Sequence, residues 1–189
     1  MDFRCLQTTT TNEELRFMSE TYLILGGSNS GKSRFAEQSA LSLQKNIDGK
    51  LYYIATGLAY DSEMQEKISE HKRKRNQKFE TIDSPDLSAD ILKSSKPQDI
   101  ILIDCISMSV SNILTLSQFR DRRIDDIRDD LKKCKSTLII VGQETSLGIL
   151  PANELSRKFL KVSGKLNQDI GRFANSVTLV VAGHSIKIK

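Results

Sequence analysis

A phosphate-binding loop is predicted by the glycine, lysine and hydroxyl spacing of residues 26–33, which read Gly26, Gly27, Ser28, Asn29, Ser30, Gly31, Lys32 and Ser33. Glycines allow backbone N–H groups to turn inward around phosphate oxygens, Lys32 can reach the β- and γ-oxygens, and the Ser33 hydroxyl suits Mg²⁺. The loop lies between an apolar run at 22–25 and a helical pattern at 34–41, whose positive dipole end favours anions. A turn that binds nothing would explain the glycines but not Lys32 and Ser33, so the spacing predicts nucleotide chemistry.

An acidic residue follows a second apolar run. Residues 100–103 are Ile-Ile-Leu-Ile, and Asp104 comes directly after them. Open α/β sheets place their ligands at the carboxyl ends of strands, so Asp104 is expected at the ligand-binding edge. A strand that ends in Asp is common. Beside a phosphate loop, however, we expect Asp104 to hold the Mg²⁺ that Ser33 also contacts.

A basic cluster surrounds one of the two histidines, at His71–Arg75. It ends a helical pattern that we expect to begin at Ser62, with Gln65 at the spacing of a capping box. Helical spacing places His71 on one face with Met64 and Ile68. A neutral imidazole can attack phosphorus and later leave it. A solvated basic face, a nuclear-localisation-like patch or a contact to a phosphate backbone would explain the same residues.

Alternating strands and helices must position these residues. Apolar, β-branched runs suit a parallel sheet that is buried on both faces, and they occur at 22–25, 51–55, 100–103, 138–141 and 177–181. A helix is predicted over 155–173, with its start near Pro151 and Asn153. The C-terminal residues predict an antiparallel hairpin with its turn near Gly183, where His184 is expected to be structural. The fold class is therefore α/β, with a mostly parallel sheet and a C-terminal antiparallel hairpin.

Length and composition limit the alternatives. The 189 residues fit one α/β domain, expected over 21–189 after a polar arm at 1–20, and the formal net charge of +4 favours anionic ligands. Three cysteines, odd in number and far apart, predict neither a disulfide framework nor a zinc site, and they favour a reducing cytoplasm. We expect no membrane span, because no apolar stretch approaches the necessary length.

Taken together, these segments resemble the bifunctional adenosylcobinamide kinase / adenosylcobinamide-phosphate guanylyltransferases of cobalamin biosynthesis. The resemblance covers nearly everything after residue 20, and it is carried in order by 25–37, 53–57, 61–83, 103–114, 144–151 and 157–189. It implies a phosphate-loop fold of the RecA-like kind, assembled as a homotrimer. It also implies that ATP or GTP phosphorylates adenosylcobinamide and that GMP from GTP is then transferred to the new phosphate, which gives adenosyl-GDP-cobinamide.

The resemblance also assigns site residues. His71 stands where the family carries its guanylylated histidine. Nucleotide binding is implied for Gly26–Ser33 and for Thr56, Gly57, Leu58, Lys72, Arg73, Lys74, Arg75, Asp83 and Asp104. The metal ligands would be Ser33 and Asp104, for Mg²⁺.

Two other functions remain open at this point. A small-molecule kinase of the same fold would need no guanylyl transfer, and His71 would then be structural. A nucleic-acid-binding ATPase would use His71–Arg75 to bind the phosphates of the nucleic-acid backbone. The basic run lacks interleaved aromatic residues, which counts against the second, and we expect no nucleic-acid partner.

Overall fold

The computed structural model describes residues 19–45 and 48–189, and the side chains of Lys67, His71 and Lys74 lie outside that description, as does most of the expected N-terminal arm. Its seven strands form one sheet: β1 (Thr21–Gly26), β2 (Leu51–Ala55), β3 (Phe79–Asp83), β4 (Ile100–Asp104), β5 (Thr137–Gln143), β6 (Ser176–Val181) and β7 (His184–Lys187). The strand order is β3-β2-β4-β5-β1-β6-β7, parallel except for the antiparallel β6–β7 pair. The predicted fold class is confirmed.

The helices connect and cover these strands. They are α1 (Lys32–Gln44), α2 (Ser62–Lys74), α3 (Ile91–Ser94), α4 (Ile106–Thr115), α5 (Ile124–Lys133) and α6 (Glu154–Phe173), with one 3₁₀ turn at Ser117–Phe119. Alternate residues of the central strands enter two cores. One core contains Leu23 and Ile101 with residues of α4, α5 and α6, and the other contains Ile24 and Leu102 with Ala36 and Ala40 of α1. Burial on both faces explains the continuous apolar runs.

Three local features differ from the sequence expectation. Strand β3 was not predicted, because it is an edge strand in which only Phe79 is buried and it has no continuous apolar run. The predicted Ser62 cap of α2 is wrong: the Asp61 carboxylate accepts from the Met64 N–H at 2.8 Å, so Asp61 caps the helix. The hairpin turn is shorter than expected, with only Ala182 and Gly183 between the strands, so His184 begins β7.

The expected start of α6 agrees with the structure. Asn153 caps α6, and its side chain accepts from the Ser156 N–H at 3.0 Å. Among the described residues, no helix is both long enough and apolar enough to cross a membrane.

Candidate active site

The phosphate loop connects β1 to α1 as predicted. Gly31 adopts φ +93°, a left-handed conformation that glycine tolerates best, and Lys32 and Ser33 then open the helix. The Lys32 Nζ donates to the Gly27 carbonyl at 2.9 Å, which holds the ammonium group over its own loop. A positive side chain and the N-terminal end of a helix therefore meet where phosphates would bind.

The C-terminal hairpin supports this loop. The Gly183 N–H donates to the Ser30 carbonyl at 2.9 Å, and a Cβ on Gly31 would lie 3.3 Å from the Gly183 Cα. The Ser30 hydroxyl is buried and has no hydrogen-bond partner in the described part of the chain. The sequence predicted the hairpin but not its contact with the phosphate loop, because residues about 150 positions apart in the chain make it.

Asp104 ends β4, and β5 separates this strand from the phosphate-loop strand β1. Its Oδ2 accepts from the Tyr53 hydroxyl at 2.6 Å. Burial raises the pKa of Tyr53 and the Asp104 carboxylate raises it further, so the phenol stays protonated as a donor. Burial and the same carboxylate raise the pKa of Glu37, which places this α1 residue within electrostatic reach of Asp104.

Arg75 lies against Tyr53 just beyond the end of α2. Its guanidinium carbon is 3.5 Å from the centre of the Tyr53 ring, and its Nη1 donates to the Thr81 hydroxyl at 2.9 Å. Phe79 packs edge-on against the same ring, with centroids 5.8 Å apart. The Arg75 Nε is buried without a hydrogen-bond partner among the described residues. This predicted nucleotide-binding residue is therefore tied to β2 and β3.

Thr56, the first residue after β2, is fully buried and fixes the strand end that carries Asp104. Its hydroxyl donates to the Cys105 carbonyl at 2.7 Å and accepts from the Cys105 N–H at 2.8 Å. Burial, with a smaller effect from Asp104, raises the pKa of the Cys105 thiol to about 11, so this thiol is protonated at neutral pH. The loop after β2 and the start of α4 are thus joined through one hydroxyl.

Asn112 of α4 hydrogen-bonds to the same loop, the one that follows β2. Its fully buried side chain donates to the Thr56 carbonyl at 2.9 Å and to the Pro85 carbonyl at 2.8 Å, and its Oδ1 accepts from the Tyr60 hydroxyl. Asn112 and Tyr53 were not predicted as site residues from the sequence. Asn112 carries the one carboxamide of α4, a helix otherwise made of apolar residues, serines and a threonine, which was a usable signal, whereas Tyr53 resembled any core residue of a strand.

Helix α2 packs against the loop after β2, because a Cβ on Gly57 would lie 3.3 Å from the Ile68 side chain. His71 follows Ile68 by three residues in this helix, and its side chain lies outside the described part. Lys72 and Arg73 are exposed, Leu58 is half-buried, and the Lys74 side chain is not described. The backbone therefore brings the His71 helix to the Thr56–Leu58 loop.

Asp83 and Asp104 end strands on either side of β2, and both are register partners of Ala55. Asp83 is exposed and Asp104 is half-buried. The structure thus places the phosphate loop, the Thr56–Leu58 loop, Asp83 and Asp104 at one edge, the carboxyl edge of the parallel strands. Open α/β sheets bind ligands at this edge.

The oxygen donors of Ser33 and Asp104 are of the kind that Mg²⁺ binds. Ser33 and Asp104 offer a hydroxyl and a carboxylate, the hard oxygen ligands that Mg²⁺ prefers. No cluster of three or more His, Cys, Asp or Glu side chains suited to a metal occurs in the ranges that the structure describes. Mg²⁺ in nucleotide enzymes usually takes one or two protein ligands, with phosphates and water completing its shell.

Comparison with known proteins finds a family and relatives that cover most of the chain. Residues 22–188 match the family described as cobinamide kinase / cobinamide phosphate guanyltransferase. The chain is 36% identical over 172 residues to the bifunctional adenosylcobalamin biosynthesis protein CobP of Pseudomonas aeruginosa, covering 88% of this chain and 96% of that one. It is 34% identical over 183 residues to CobU of Salmonella typhimurium, a bifunctional adenosylcobalamin biosynthesis protein, covering 88% and 98%.

A solved structure supports the fold alone. The flagellar accessory protein FlaH from Methanocaldococcus jannaschii aligns with a TM-score of 0.51 and 17% identity, over 91% of this chain and 79% of its own. The fold is of the phosphate-loop, RecA-like kind.

Proposed function

Because the chain belongs to the cobinamide kinase / cobinamide phosphate guanyltransferase family, we propose that it carries out both reactions in cobalamin biosynthesis. ATP or GTP phosphorylates adenosylcobinamide, and GMP from GTP is then transferred to the new phosphate to give adenosyl-GDP-cobinamide. The observation that carries the proposal is the joint placement of the phosphate loop, Asp104 and helix α2 at one sheet edge.

The phosphate loop performs the kinase step. Its N–H groups and Lys32 bind the triphosphate, and Lys32 exchanges the Gly27 carbonyl for phosphate oxygens. Ser33 and Asp104 would hold Mg²⁺, which neutralises charge on the phosphates. The cobinamide hydroxyl oxygen forms a bond to the γ-phosphorus, the bond to the β-phosphate oxygen breaks, and the hydroxyl proton is released.

His71 performs guanylyl transfer. An imidazole nitrogen forms a bond to the α-phosphorus of GTP while the bond to the pyrophosphate oxygen breaks. The phosphate of cobinamide phosphate then attacks the same phosphorus and releases the histidine. Lys72, Arg73, Lys74 and Arg75 supply positive charge around the phosphates, and Asp83 accepts from guanine N–H groups at the edge of the sheet.

Two features of the assembly belong to the same proposal. The protein works as a homotrimer with the His71 helix near a subunit boundary, and it works in the cytoplasm with small-molecule partners and no nucleic acid. The family resemblance supports both. Light scattering that reports a stable monomer at working concentration contradicts the trimer.

Intact mass after incubation with GTP and Mg²⁺ tests the covalent step. We expect the parent protein to gain one guanylyl group and His71→Asn to gain none, while that variant keeps most of its adenosylcobinamide phosphorylation. His184→Asn is the matched control, because it removes the other histidine at an exposed position, and it should be labelled like the parent. Label on the His71→Asn variant, or loss of label in His184→Asn, refutes the assignment. An unlabelled parent that phosphorylates adenosylcobinamide but forms no adenosyl-GDP-cobinamide identifies a kinase without guanylyl transfer.

A further inference from the structure

Tyr53 contacts two predicted residues of the site, Asp104 and Arg75. It lies in the middle of β2 and only 2% of its surface is exposed, yet both its polar and its aromatic parts face functional residues. Its hydroxyl donates to the Asp104 Oδ2 at 2.6 Å, and its ring lies 3.5 Å from the Arg75 guanidinium carbon. A buried tyrosine hydroxyl needs a hydrogen-bond partner, and here that partner is the predicted metal ligand Asp104.

The hydroxyl contact restricts Asp104. A carboxylate at a strand end can rotate about its side-chain bonds, and a charge-assisted hydrogen bond to one oxygen restricts that rotation. With Oδ2 occupied by the phenol, the carboxylate has one preferred orientation in which to meet a metal ion. Asp104 is one of the two oxygen donors assigned to Mg²⁺, so the phenol sets the orientation of that donor.

The ring contact restricts Arg75. A guanidinium packed on an aromatic face at this distance is held by cation–π attraction, which strengthens when water is excluded, and the ring here is buried. The Nη1 bond to Thr81 fixes the direction of the guanidinium plane. Arg75 directly follows the last residue of α2, four positions after His71, so this stack anchors the end of the helix that carries the nucleophile.

We propose that Tyr53 is a positioning residue shared by the two half-reactions: its hydroxyl orients Asp104 toward the metal ion, and its ring seats Arg75 and thereby the His71 end of α2. The inference rests on the proposed function, because it assigns the metal to Asp104 and guanylyl transfer to His71. It assigns no chemistry to Tyr53 itself.

Two substitutions separate the two contacts. Tyr53→Phe removes the hydroxyl and keeps the ring, whereas Tyr53→Leu removes both. Tyr52→Phe is the matched control, since Tyr52 neighbours Tyr53 in β2 but belongs to the core on the other face of the sheet. Thermal unfolding identifies the temperature at which every variant is folded.

The first measurement is metal affinity, taken by Mn²⁺ electron paramagnetic resonance titration of the protein–GDP complex. We expect Tyr53→Phe to bind Mn²⁺ about tenfold more weakly than the parent, the order of one charge-assisted hydrogen bond. Tyr52→Phe should bind as the parent does. Equal affinity in Tyr53→Phe and the parent overturns the role of the hydroxyl.

The second measurement is the rate of protein guanylylation at saturating Mg²⁺. We expect the guanylylation rate of Tyr53→Phe to stay within about twofold of the parent rate. The rate of Tyr53→Leu should fall by at least about tenfold, because only the leucine variant loses the aromatic ring on which Arg75 packs. Equal rates for the two variants overturn the role of the ring. If the parent takes up no guanylyl group, the proposed function and the ring assignment fail together, while the Mn²⁺ titration still decides the hydroxyl assignment.

Discussion

Asn112→Ala tests whether the buried amide of α4 holds the loops of the site together. The substitution removes two donors, to the Thr56 and Pro85 carbonyls, and the acceptor of the Tyr60 hydroxyl. Thr56 is fully buried, so water cannot replace the amide at its carbonyl without a local rearrangement. The substitution should therefore lower the free energy of unfolding by more than the loss of a surface hydrogen bond does.

The magnitude follows from these two carbonyls. A buried group that loses its partner costs about 1–3 kcal/mol, and the half-buried Pro85 belongs at the lower end, so the free energy of unfolding should fall by about 2–5 kcal/mol. For a domain of this size, each kcal/mol lowers the thermal unfolding midpoint by about 2–4 °C, which predicts a drop of roughly 4–20 °C. Urea unfolding followed by circular dichroism measures the free energy directly.

Asn153→Ala provides the comparison, since it is the same chemical deletion at the exposed cap of α6. Loss of this cap should cost about 1 kcal/mol. If Asn112→Ala costs no more than Asn153→Ala, the argument that the buried amide joins the loops is wrong. A larger cost with unchanged unfolding cooperativity supports it.

Two further substitutions address the phosphate loop and its support. Lys32→Ala should lower the rate of adenosylcobinamide phosphorylation by about 10²–10³-fold, because one charged contact to the transferring group is lost, with the free energy of unfolding changed by less than about 0.5 kcal/mol; undiminished phosphorylation by the folded variant rejects the phosphate-loop assignment. Ala182→Asn should raise the free energy of unfolding by about 1 kcal/mol, since Ala182 adopts φ 50° in a two-residue hairpin turn that favours Asn-Gly. A urea midpoint that does not rise contradicts this account of the turn.

The sequence by itself determined the parts of this protein that depend on neighbours in the chain. The phosphate loop needs glycines, a lysine and a hydroxyl at fixed spacing between a strand and a helix, and all of these are local. The central strands were predictable because burial on both faces demands continuous apolar runs. Asp104 could be placed at the ligand edge because an acid directly follows such a run.

Strand β3 could not be predicted, because it is not buried on both faces and has no continuous apolar run. It pairs with one neighbour only and exposes most of its side chains, so its polar sequence carries no strong periodicity. The position of Asp83 beside Ala55 and near Asp104 follows from the pairing register of β3, β2 and β4. That register is a property of the folded sheet.

Only the tertiary structure decided how the parts of the site hold one another. Tyr53 meets Asp104 across 51 positions of the chain, and Asn112 meets Thr56 across 56. The order and the lengths of the strands in the folded sheet decide which residues meet. No local sequence pattern encodes that order. The sequence therefore marks Tyr53 only as a strand residue and Asn112 only as a polar residue of a helix, and both become positioning residues once the sheet brings their partners within hydrogen-bond distance.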